Sequence, residues 1–113
     1  MTDRELLEAA AKAAGYDVRW HEIFGCFVHV GPFNITNPPT MAGQRLVWVP
    51  LDDDGDALRL AVKLRMQIDI LDRSIYAVAM GSVRLCELDR ADSQAATRRA
   101  ITRAAAEIGR AML

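Results

Sequence analysis

Trp48-Val49-Pro50-Leu51-Asp52-Asp53-Asp54-Gly55-Asp56-Ala57 runs directly into Leu58-Arg59-Leu60-Ala61-Val62-Lys63-Leu64. One stretch thus joins a proline turn, an acidic helix start and a largely apolar helix. Unpaired N–H groups and the positive dipole end of a helix N-terminus favour carboxylates, and an Asp side chain can cap the first turn. The cap falls on Asp53 or Asp54. Pro50 fixes φ and cannot extend a strand ladder, so the turn belongs there. Between Ala57 and Met66 the apolar residues cover more of the helix than a simple surface stripe. Arg59 and Lys63 mark its wet face. The spacing therefore predicts a helix that touches a sheet on one side and something else on a flank.

The same aspartates invite a calcium reading, and spacing argues against it. With Gly55 at the sixth position of an EF-hand loop, Pro50 falls first and Ala61 twelfth. Neither side chain offers an oxygen ligand.

Upstream, Thr2-Asp3-Arg4-Glu5 has the form of a capping box, and Leu6, Leu7, Ala10, Ala13 and Ala14 follow at helical spacing. Gly15 is a natural stop, so a helix is expected over residues 3–14. Tyr16, Val18 and Trp20 alternate with Asp17 and Arg19 as a strand. A second strand, Cys26 to Val30, follows a short turn, which makes an antiparallel hairpin. Residues 31–45 hold Pro32, Pro38, Pro39, Asn34 and Asn37 and read as a long loop. Leu46 to Val49 has the pattern of a short extra strand.

Downstream of the central helix, Ile68 and Ile70 alternate with Gln67 and Asp69, and Asp72-Arg73-Ser74 turns the chain. Ile75 to Met80 is apolar on both faces, the pattern of a more buried strand. Gly81-Ser82 marks a bulge or a second turn. Residues 83–87 then continue the sheet or add a strand. Asp92 or Ser93 caps a last helix reaching about Ala111. Its expected buried side is Ile101, Ala104, Ala105, Ile108 and Met112, and Arg98, Arg99, Arg103 and Arg110 line its outer side. Arg103 and Glu107 stand at i,i+4 spacing. The fold class is α+β in one domain spanning 1–113, in the order α-β-β-(loop)-α-β-β-(β)-α. The sheet is mainly antiparallel and layered with helices as an αβα sandwich.

Composition narrows the function classes. The 113 residues carry 51% hydrophobic side chains and a net charge of −1. That supports a packed core and gives no overall basic footprint for nucleic acid. No apolar run approaches the roughly 20 residues of a membrane span, and the charged opening is unlike a secretion signal. Cys26 and Cys86 read as buried, reduced thiols of a cytoplasmic protein. His21, Glu22, Cys26 and His29 match no zinc spacing. Asn34-Ile35-Thr36 is formally a glycosylation sequon, which without a secretion signal carries no weight. No P-loop, dinucleotide fingerprint or nucleophile–base motif is present, so no cofactor is expected.

The run Trp48-x-Pro50-Leu51-x-Asp53-Asp54-Gly55-Asp56-Ala57 through Leu64 resembles the signature of the phage ABA-sandwich domain family, small proteins of phages and prophages. The last helix, Ala96 to Gly109, and Ala14-Gly15-Tyr16 with Arg19-Trp20 resemble the same proteins. Two features depart from that pattern. Val49 stands where members usually have Asn, and residues 35–46 look like an insertion. The resemblance implies a sheet between helices and carries no activity with it.

The resulting expectation is a non-enzymatic phage or prophage accessory protein in the cytoplasm of the bacterial host. It would bind an unidentified host or phage protein, or a second copy of itself. Interaction candidates are Trp48, Asn34, Asn37, Arg99 and Arg103. One alternative is a ligand binder or enzyme using His21, His29, Asn34, Asn37 and Asp52 to Asp56. Another is nucleic-acid binding through the arginine face.

Overall fold

Three cap signals written in the chain act as the sequence suggests. The computed structural model describes residues 2–30, 47–79, 83–88 and 92–112. Helix α1 (Asp3–Ala14) opens on Thr2, whose hydroxyl accepts from the Glu5 N–H at 3.2 Å and donates to the Glu5 carboxylate at 3.1 Å. It closes at Gly15, whose φ of 74° is left-handed. Helix α2 (Asp54–Lys63) is capped by Asp53 and helix α3 (Ser93–Ala111) by Asp92, each accepting from the N–H three residues on.

Among the described residues the strands form two antiparallel sheets of three. The first joins β1 (Val18–His21), β2 (Cys26–His29) and β3 (Val47–Trp48) in that order. Trp20 stands opposite Phe27, and Phe27 opposite Trp48. The second joins β4 (Gln67–Ile70), β5 (Ser74–Ala79) and β6 (Val83–Leu88). Residues 83–88 therefore add a strand, and the middle strand β5 buries Ile75, Ala77 and Ala79. The anticipated loop at 31–45 and the Gly81-Ser82 bulge or turn lie outside the described residues.

The element that holds both halves together is α3, not α2. Ile101, Ala105 and Ala106 join a core with Leu6, Ala10, Phe27, Trp48, Ala57 and Leu60. Ala100 and Ala104, on a neighbouring face of the same helix, join Ile75 and Ala77 of the second sheet in another core. A 19-residue helix lined with alanine allows this because small side chains let neighbours approach on several sides. Helices α1 and α3 come close at Gly109. A Cβ placed there would lie 1.8 Å from the Ala9 carbonyl oxygen of α1.

Three details of the sequence reading change. Met112 is exposed rather than buried, and Thr102, Ala106 and Gly109 lie inside instead. Thr102 satisfies its hydroxyl on the Arg98 carbonyl at 2.8 Å. Helix α2 also stops at Lys63, before Met66. Arg65 takes φ 52°, and the Arg65 and Met66 N–H groups fold back onto Val62 and Ala61 carbonyls. This is the closing pattern that glycine usually supplies.

Candidate functional site

The corner between the β3 end and the α2 start gathers most of the chain's notable side chains. Backbone geometry sets it up. The Asp52 and Asp53 N–H groups both donate to the Val49 carbonyl, at 2.9 and 2.8 Å, which winds the Pro50 turn tightly. Pro50 is buried within it. Asp53 accepts from the Asp56 N–H at 2.8 Å. The Asp56 carboxylate, only 3% exposed, turns back to accept from the Val49 N–H at 3.0 Å. It also accepts from Arg59 at 2.6 Å. One buried carboxylate thereby fastens the turn to the first turn of α2.

Asp54 looks outward to α3. It accepts from Arg98 at 2.6 Å and from Gln94 at 3.2 Å, and the Arg98 Nε donates to the Leu51 carbonyl at 2.9 Å. Charge-assisted bonds of this kind are stronger than neutral ones, and Arg98 is mostly covered. Asp53, Asp54 and Asp56 are thus bonded to protein donors. Among the described residues, no group of three or more His, Cys, Asp or Glu is arranged to hold a metal ion.

Beside this clamp lies an aromatic cluster that spacing alone does not reveal. Tyr16 meets His29 edge-on at 5.7 Å between ring centres and Trp48 at 5.9 Å. Burial lowers the His29 pKa, with Asp56 opposing and Arg59 reinforcing. Burial raises the Tyr16 pKa, with Arg59 opposing and Asp56 reinforcing. Tyr16 links the two strands here, touching His29 of β2 and Trp48 of β3, and Trp48 itself stands opposite Phe27. Of the four aspartates, Asp56 is the one whose charge acts on His29, and its oxygens are already engaged. Burial and then Asp52 raise the Cys26 pKa, which keeps that half-buried free thiol protonated. The Cys86 side chain lies outside what is described.

His21 is elsewhere. Its Nδ1 accepts from the Phe24 N–H at 3.2 Å, and its ring stacks on Phe24 at 4.2 Å, so it shapes the β1–β2 turn. His21 pairs with Cys26 and His29 with Val18, placing the two histidines at opposite ends of the hairpin. That separates them by about 10 Å along the strands.

The interaction candidates are scattered. Trp48 is only 2% exposed, so a partner reaches it only if this corner opens. Asn34 and Asn37 fall outside the described residues. Arg99 meets Asp3 at 3.3 Å, and Arg103 pairs with Glu87 of β6. The i,i+4 spacing on α3 points Arg103 at Glu107. Glu107 instead pairs with Arg110 at 3.0 Å, because the Arg103 side chain turns to the sheet. All four arginines of α3 therefore face carboxylates of their own chain.

No family model, no curated protein and no solved structure matches this chain.

Proposed function

We propose that this chain is a non-enzymatic phage or prophage accessory protein that acts by binding another protein in the cytoplasm of its bacterial host. The supporting observation is on α2. Leu58 and Val62 stand one helical turn apart and are 60% and 68% exposed. They are the part of the broad apolar arc that neither α3 nor the first sheet covers. Apolar pairs held on a rigid helix are the usual anchors of helix-face recognition.

Further support comes from what the polar groups do. Asp53, Asp54 and Asp56 are bonded within the chain and the α3 arginines face carboxylates, which favours protein binding over chelation or phosphate binding among the described residues. No helix among these residues is long and apolar enough to cross a membrane. The phage or prophage origin rests on the sequence resemblance.

The test is comparative affinity capture from a bacterial host lysate, using the wild-type chain and the Leu58→Asp/Val62→Asp double variant. The expected result is a protein retained by the first and lost by the second, with unchanged circular dichroism. Equal capture by both would overturn the assignment of the α2 face.

A further inference from the structure

A cleft of 560 Å³ is lined by α1 and β1, with Phe27 of β2 at its floor. Its helix wall extends from Arg4 to Lys12, about 12 Å at 1.5 Å per residue. Its strand wall extends from Tyr16 to Trp20, about 13 Å at 3.3 Å per residue. The two walls match in length, and each fits a strand of about four residues.

The hydrogen-bonding pattern says which backbone groups face the cleft. The Val30 N–H donates to the Asp17 carbonyl at 2.8 Å, so 17 and 30 form a hydrogen-bonded pair of the ladder. Such pairs alternate, so Arg19 and His21 also point their backbone groups toward β2. Val18 and Trp20 then point theirs away from β2. β1 is an edge strand among the described residues. An edge of this kind is a template for one more strand.

Side chains in the cleft define what that strand must carry. Val18, Trp20 and Phe27 pack with the first core, and Trp20 meets Phe27 edge-on at 5.2 Å. Arg4 lies over the Trp20 ring at 4.7 Å and beside Glu8 at 3.8 Å. Arg19 is exposed, and among the described residues neither it nor Lys12 has a carboxylate partner. Lys12 donates instead to the Met112 carbonyl at 3.0 Å. A strand bonded to Val18 and Trp20 places its middle residue directly opposite Arg19, at the close non-hydrogen-bonded spacing. The residues on either side of it turn toward Val18, Trp20 and the helix wall.

The geometry points to this cleft as a β-augmentation site for an extended peptide of alternating pattern, with a carboxylate at its centre and apolar residues flanking it. A second copy of the chain fits less well in the register that joins Val18 to Trp20, because it sets Arg19 against Arg19 and like charges directly opposite repel. The register centred on Val18 sets Arg19 against Asp17 instead, and the mass of the chain in solution tells that pairing from peptide binding. The cleft is separate from the α2 face and does not depend on it.

The test is an amide NMR titration of the full chain with acetylated, amidated Thr-Val-Glu-Val-Thr. Shifts are expected at the Val18 and Trp20 amides and the Trp20 indole N–H. A central Lys in place of Glu should weaken binding about tenfold, and Arg19→Glu should reverse that preference. Methylating both Val nitrogens of the peptide should abolish binding. The Leu58→Asp/Val62→Asp variant should bind the peptide normally, which separates failure here from failure of the α2 reading. No shifts at about 5 mM peptide, equal binding of the Glu and Lys peptides, or a doubled light-scattering mass lost on Arg19→Glu would overturn the assignment.

Discussion

Replacing Gly109 by alanine should destabilise the chain, against the usual trend for helix interiors. Alanine is worth about 1 kcal/mol over glycine there on propensity alone. At Gly109 the added Cβ would lie 1.8 Å from the Ala9 carbonyl oxygen and 2.7 Å from its carbon. That is roughly 1.5 Å short of ordinary contact. The clashing atoms are backbone, so no rotamer change relieves the overlap and Ala9→Gly offers no rescue. Helices α1 and α3 must separate, loosening the seam where Ala10, Ala11, Ala105 and Ala106 are buried. Overpacking costs about 1–3 kcal/mol when side chains can adjust, and more when they cannot. A net loss of about 2–4 kcal/mol is expected, or about 10–20 °C in Tm. Urea unfolding followed by circular dichroism and by tryptophan fluorescence measures it. Gly55→Ala is the control, because its Cβ would meet the movable Arg59 guanidinium and the Asp53 carboxylate at 3.2 Å. A Gly109→Ala variant as stable as the wild type would refute the close helix crossing.

Two other expectations follow from the same geometry. Arg65→Gly should stabilise by about 1 kcal/mol, because Arg65 sits at φ 52°, where a Cβ is strained; equilibrium urea unfolding checks it, and no gain would mean the α2 stop is built differently. His29 titrates below its ordinary 6.5 in the folded chain because burial disfavours its charged form. The unfolded chain therefore binds more protons than the folded one just below pH 6.5, and stability should fall as pH drops through that window. His29→Gln should flatten this part of a Tm–pH profile, and an unchanged slope would count against the burial of His29.

Local features were legible in the sequence and long-range ones were not. The Thr2–Glu5 box, the Gly15 stop and the Asp caps depend on residues three or four apart, so spacing exposes them. The hairpin at 18–29 follows from alternation and a short turn. The division into two sheets, the dual role of α3 and the Ala9–Gly109 contact depend on residues far apart in the chain. Composition hinted at the last of these, because a helix rich in alanine with one glycine suits a close crossing. Arg65 was invisible because a non-glycine residue in the left-handed region carries no sequence mark. The Tyr16–His29–Trp48 cluster required knowing that β2 pairs with both β1 and β3. At the clamp the aspartates read correctly as a helix start, whereas the turn of Asp56 back onto Val49 needed coordinates.

The aspartates at the start of α2 act as structural clamps rather than as chemistry. The most direct measurement is the urea-unfolding free energy of Asp56→Ala, with and without Ca²⁺ or Mg²⁺. The substitution leaves the Val49 N–H without its acceptor and removes a charge-assisted bond. A loss of about 2–4 kcal/mol is predicted, with wild-type stability indifferent to either ion. A variant within about 0.5 kcal/mol of wild type, or a wild type stabilised by added cation, would contradict it.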